Sequence, residues 1–287
     1  MKTLNSLQTY HFDAAIVLED SCKGITLPHQ ASRVSLHTPS DVYSAVTWMP
    51  MSELVLLNGN VLVGNVHICN YLTTTEQSQF VLTRIDSPAE ASALAHVNQS
   101  ACPIEGEVDA VRALVSRIHS DHLREFVEQA LTNIEAFRWF WTCPASMAHH
   151  HSGPGGLAQH SRHVAEQASL AVCDQSLQSD YAIAYGLLHD YGKIWSYEDG
   201  HLNEIANRLG HEQIGYEKLL PLLLRLRDAS PEIGVVMQSL LSGQWKRDGK
   251  RPIQAVGNIV RSLDQYSAET DMSHRQNRNE KAYSNPD

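Results

Sequence analysis

The 287 residues carry 22 Lys and Arg against 32 Asp and Glu, a formal charge of −10, with 43% hydrophobic and 19% charged residues. This balance excludes a disordered chain, and the negative charge argues against a broad nucleic-acid-binding surface, because phosphate neutralisation supplies most non-specific affinity. No segment approaches the roughly 20 apolar residues of a membrane span, and MKTLNSLQTYHFDAAIV lacks a basic region ahead of a long apolar core, so a cytoplasmic protein without membrane contact is expected.

Residues 1–86 alternate short branched-chain runs with turn residues: DAAIVLED, ITLP, RVSLHT, VYSAVTWM, ELVLLNGNVLVGNVHI and QFVLTRI. Five or six strands in this length predict a small β-domain, an OB-like barrel, with an Asn-Gly turn inside LNGN. Such a barrel either presents an oligonucleotide or packs and dimerises; Tyr43, Trp48, Tyr71 and Phe80 are present without the basic residues that would decide it. Residues 87–106, bounded by prolines, read as a linker or a short helix. From Glu107 to about Phe140 apolar residues recur at three- and four-residue steps, predicting an amphipathic helical pair. Trp139 and Trp141 close it as core anchors.

Metal-ligand chemistry concentrates between Met147 and Lys193. His149, His150 and His151 precede the break Gly153-Pro154-Gly155-Gly156, and helical periodicity resumes at Leu157 with His160 and His163 inside it. A second helix, about Tyr181 to His189, ends at the His189-Asp190 pair. An imidazole and a carboxylate at adjacent positions face one ion only if the backbone turns there, and Tyr191-Gly192-Lys193 supplies the turn. The glycine-rich break has neither the GxGxxG nor the Walker form, so a nucleotide loop of that kind is rejected, as is a GxSxG serine elbow.

Farther on, SYEDGHLNE reads as a loop with a short lid, and His211 opens a helix that Pro221 should end or kink. Two more helices, Glu232–Leu241 and Pro252–Tyr266, flank GQWKRDGKR, whose Lys246, Arg247, Lys250 and Arg251 form the one concentrated basic run. The segment 268–287 has almost no apolar content and is expected to be a disordered tail. Cys22, Cys69, Cys102, Cys143 and Cys173 show no CxxC spacing and read as buried apolar residues.

The set His160, His189-Asp190 within HDYGK, and Asp264 resembles the signature of the HD-domain metal-dependent phosphohydrolases. HHHSGPGGLAQHSRHVAEQA and VGNIVRSLDQYSA resemble segments of the TraI-type HD domain of MobH conjugative relaxases. The order of β-domain, helical lead-in ending CPAS and HH…GGL…H run is similar to the OB-plus-HD 3′-to-5′ exoribonucleases of YhaM type. The resemblance implies an α+β chain with an all-α HD domain over 107–267. It further implies that His160, His189, Asp190 and Asp264 hold one divalent ion (Mn²⁺, Fe²⁺, Ni²⁺, Co²⁺, Mg²⁺ or Zn²⁺).

His211 resembles the added histidine of two-ion variants, and either a second-metal role, a phosphate contact or a helix cap suits it. The histidines that those variants carry in an HH turn are replaced here by Ser242-Gly243-Gln244-Trp245, which puts a complete two-ion site in doubt. Asp190, Lys193 and His211 are the candidate catalytic residues, Lys193 facing either phosphate or Asp190. His149, His150, His151, Lys246 and Arg247 are the candidate substrate contacts; His163, three positions after His160 on its face, is expected beside the site or at the surface rather than as a ligand.

The implied function is phosphodiester cleavage in single-stranded nucleic acid. Nucleotide or cyclic-nucleotide hydrolysis, or a non-catalytic HD module in a conjugation or DNA-processing assembly, are the alternatives, and homo-oligomerisation stays open. MobH relaxases are much longer than this chain, so their nicking activity is not carried over.

Overall fold

The computed structural model describes residues 8–19, 31–50, 54, 61–72, 78–88, 92–146, 152–172, 177–198, 200–247 and 252–267. The chain divides into two compact units, residues 1–100 with 131–137 and residues 101–130 with 138–287. The ITLP run, the Asn58-Gly59 turn, Cys22, Cys173, His149 to His151, Lys250, Arg251 and the 268–287 tail lie outside the described residues.

The first unit is a five-stranded closed barrel: β1 (Gln8–Leu18), β2 (Ser32–His37), β3 (Val42–Thr47), β4 (Leu62–Leu72) and β5 (Ser78–Pro88). Its order is β1-β2-β3-β5-β4, closed by β4 on β1, with only β3 and β5 parallel. This is the expected OB-like arrangement. Residues two apart turn inward, so Ala14 and Ile16, Val34 and Leu36, Val66 and Ile68 meet in one core with Ala45 and Leu82. Each large apolar side chain so buried stabilises the barrel by about 1.5–3 kcal/mol. Two register shifts between β4 and β5 put extra β5 residues opposite β4, the local bending that a closed barrel needs.

The opposite parity of β1, β2 and β3 should face solvent, yet Ala15, Val17, Ser35 and Val46 are buried. The segment 92–101 forms two 3₁₀ turns, Ala93–His96 and Gln99–Ala101, and the first packs on β1. The Asn98 amide donates to the carbonyls of Thr38 and Pro39, at 3.1 Å each. Phe137 meets the His37 ring edge-on, centroids 5.0 Å apart.

The second unit is helical. It contains α1 (Glu107–Val115), α2 (Asp121–Leu131), the short α3 (Ala136–Trp139), α4 (Gly156–Ala171) and α5 (Leu177–Leu188). A 3₁₀ turn, Tyr191–Trp195, leads to a two-stranded hairpin, β6 (Tyr197–Glu198) and β7 (His201–Leu202), then α6 (Glu204–Leu209), α7 (His211–Ala229) and α8 (Pro231–Leu241). After a further 3₁₀ turn, Gln244–Lys246, helix α9 covers residues 252–267. Trp141 is fully buried as expected, but Trp139 is 54% exposed, because the single turn of α3 sends the two rings apart. Pro221 does not end α7, which runs on to Ala229. Leu219, Leu222, Leu223 and Leu226, buried on both sides of it, supply the packing that offsets the missing backbone bond. Among the described residues no helix is long and apolar enough to cross a membrane.

Two backbone approaches set where the chemistry lies. Gly186 in α5 crosses Ala165 in α4 so closely that a Cβ would sit 2.5 Å from the Ala165 Cα. Gly192 faces α7 so tightly that a Cβ would overlap the His211 carbonyl, while Gly215 answers it from the α7 side. The glycines therefore bring the ends of α4, α5 and α7 together.

Candidate metal centre

His160, in the middle of α4, is fully buried. Its Nε2 lies 3.0 Å from Asp264 Oδ1 in α9 and 3.4 Å from Asp190 Oδ2. His189 and Asp190 occupy the turn that ends α5, and His189 Nε2 points at the same two carboxylates, at 3.5 and 3.7 Å. One ligand atom from each of His160, His189, Asp190 and Asp264 lies within 4.8 Å of the others.

The donor set fits a divalent ion on a local observation. His189 Nδ1 donates to the Gly186 carbonyl at 2.7 Å, which leaves the lone pair on Nε2. That nitrogen is buried and has no hydrogen-bond partner. Leaving it so costs about 1–3 kcal/mol, which a cation facing the lone pair would recover. Two imidazoles with two carboxylates form a borderline-to-hard set that suits first-row divalent ions and does not single out one of them.

Electrostatics keep both carboxylates ionised. Burial would raise Asp190, but the charges of His189 and Lys193, with hydrogen bonds from His160 and His211, hold it well below the usual carboxylate range. Asp264 is lowered too, against its own burial, by the imidazoles of His160 and His189. Burial opposes charge on His189, yet the two carboxylates raise its pKa overall. Lys193 Nζ lies 2.5 Å from Asp190 Oδ2, and that partner raises its pKa despite burial.

A cavity of about 400 Å³ opens over this cluster, lined by His189, Asp190 and Asp264 together with Tyr185, Lys246, Arg247 and Arg261. His211 also lines it, with Nε2 3.0 Å from Asp190 Oδ1 and its side chain 37% exposed. Lys246 and Arg247 therefore share the cavity expected of them. Lys193 does not line it, because its ammonium is spent on Asp190. His163 is exposed, whereas the buried stripe of α4 runs through Leu157, Ser161, Val164 and Ala168, so it stays outside the cluster.

Arg261 and Tyr185 escaped the sequence reading. Arg261 precedes Asp264 by three positions and Tyr185 precedes His189 by four, spacings that put each on a ligand's helix face. Burial pushes the Tyr185 phenol up to about 12, opposed by the Trp245 indole and reinforced by the nearby carboxylates. Trp245 is itself buried, seated where a Cβ on Gly257 of α9 would overlap its ring.

Residues 157–269 match the family model of the HD domain, a stretch that contains all four clustered residues. The match is to the HD domain as a whole and carries no assignment to the relaxase or exoribonuclease branch. No curated protein and no solved structure matches the chain.

Proposed function

We propose that the HD domain at residues 157–269 is a metal-dependent phosphohydrolase cutting phosphodiester bonds in single-stranded nucleic acid. The observation that carries this reading is the convergence of His160, His189, Asp190 and Asp264, the last three lining a cavity together with Lys246, Arg247 and Arg261. When bound there, a divalent ion polarises a phosphoryl oxygen and lowers the pKa of a coordinated water. His160 and His189 give it neutral nitrogens, and Asp190 and Asp264 balance its charge. Lys193 holds the Asp190 carboxylate in place from behind. His211 reaches the same carboxylate from the cavity side, where its Nε2 is positioned to hold or pass a proton to the leaving oxygen.

The OB-like barrel in the same chain supports an oligonucleotide substrate, since such barrels commonly bind single strands. On the outer parity of β1, β2 and β3, Ala15, Val17, Ser35 and Val46 are buried, while Thr9, His11 and Asp13 of β1 and Val42 and Ser44 of β3 are exposed and open to a single strand. A mononucleotide substrate is the second reading, favoured by the cavity's size and the chain's charge of −10. His189→Ala and Asp190→Ala should each lose bound metal and hydrolysis of bis-p-nitrophenyl phosphate; full activity in either refutes the proposal. Cleavage of mononucleotides without cleavage of RNA or DNA oligomers decides for the second reading.

A further inference from the structure

The cavity is lined by three cations, Lys246, Arg247 and Arg261, and by three carboxylates, Asp190, Glu212 and Asp264. Acidic residues outnumber basic ones by 32 to 22 along the chain, so carboxylate partners are plentiful. Several arginines of the helical unit pair with carboxylates, Arg112 with Asp109, Arg162 with Glu107 and Glu166, and Arg208 with Glu204, while Arg117, Arg225 and Arg227 hydrogen-bond to Ser169, Gln129 and Gln238. Lys246, Arg247 and Arg261 line the cavity and have no carboxylate partner among the described residues.

Their placement is built. The Lys246 ammonium lies over the Trp245 ring, 5.6 Å from its centroid. That buried ring rests on Gly257, one helical turn before Arg261 on α9. The indole thus ties the turn bearing Lys246 and Arg247 to the helix bearing Arg261 and Asp264. The carboxylates of Asp190 and Asp264 are engaged by His160, His189, Lys193 and His211 and do not neutralise these cations. Glu212 also lines the cavity and makes no ion pair with the three cations among the described residues, and a phosphodiester, with one negative charge, matches only one of them.

Resting on the phosphohydrolase reading, we propose that Lys246, Arg247 and Arg261 form an anion subsite for a second phosphate, so that the site prefers substrates with two adjacent phosphates. Consecutive phosphates of a nucleic-acid strand and the phosphates of a nucleoside polyphosphate share this chemistry. A cyclic mononucleotide, with one singly charged diester, does not.

Calorimetric titration of the full chain with inorganic pyrophosphate and with inorganic phosphate, at one fixed divalent-ion concentration, tests the subsite without turnover. Pyrophosphate should bind at least about tenfold more tightly, the worth of one or two charge-assisted hydrogen bonds. Arg261→Gln and the double change Lys246→Gln, Arg247→Gln should remove that advantage with metal content unchanged.

In turnover, kcat/KM for ADP or for a 5′-phosphorylated dinucleotide should fall about tenfold more in Arg261→Gln than kcat/KM for bis-p-nitrophenyl phosphate does. The first substrate losing activity and not the second, or the reverse, tells polyphosphate from strand. Equal binding of the two anions, or a pyrophosphate advantage that survives both variants, overturns the subsite. If no substrate is hydrolysed but the Arg261-dependent preference for pyrophosphate persists, the hydrolase reading fails and the subsite stands.

Discussion

His189 shows how one hydrogen bond prepares a ring: with one proton fixed on Nδ1 by the Gly186 carbonyl, the Nε2 of the neutral imidazole presents its lone pair to a proton or a metal ion. Because the carboxylates beside it raise its pKa, the ion-free protein keeps an imidazolium to a higher pH than a free histidine. The proton and the metal then compete for one site, and acid favours the proton. We expect metal affinity to weaken as pH falls, beginning above the ordinary histidine range near 6.5, in competition titrations with a fluorescent chelator. Affinity flat between about pH 5 and 8 would remove His189 from the ligands.

Lys193→Met leaves Asp190 buried with one fewer counter-charge, so ion-free protein should lose about 3–5 kcal/mol in denaturant unfolding. A loss under about 1 kcal/mol would show that the pair is not holding the carboxylate. Tyr185, kept protonated up to about 12, is a hydrogen-bond donor throughout the working pH range. Tyr185→Phe should retain fold and metal while kcat falls about tenfold, the worth of one donor to the reacting group; an unchanged kcat would make it a wall residue only. The four clustered residues were legible because each belongs to a local pattern. Arg261 and Tyr185 were not, since their roles exist only once α5 and α9 face one cavity.

At the level of elements, periodicity located α1, α2, α4, α5, α7, α8 and α9 because each buries a stripe. It could not show that α7 passes through Pro221, which depends on the leucines packed around it. Nor could it show the contact of Gly192 with α7, which is what delivers His211 to Asp190. Gly192→Ala must push that contact apart, at a cost of about 1–3 kcal/mol in stability. Its loss of activity should exceed what reduced folded fraction explains; activity scaling only with folded protein would separate His211 from the chemistry. The barrel was legible as strands, but the packing of the 93–96 turn on β1 was not, because Leu94 and Val97 sit in a segment with no strong period.

For the molecule as a whole, a net charge of −10 and a cation-bearing cavity are reconciled by position. Lys246, Arg247 and Arg261, without a carboxylate partner among the described residues, line the cavity beside the candidate metal cluster. The two parts of the sequence announce themselves differently: alternation for the barrel, spaced His and Asp residues for the helical unit, where the HD-domain model matches.

Four side chains, from α4, α9 and the turn after α5, are placed to share one ion. The direct measurement is a crystal of the full chain grown with Mn²⁺ and scanned for anomalous scattering. One peak about 2.0–2.3 Å from His160 Nε2, His189 Nε2 and a carboxylate oxygen of both Asp190 and Asp264 is the expected result. A saturating Mn²⁺ concentration with no peak there, or a peak bound by other residues, would contradict it.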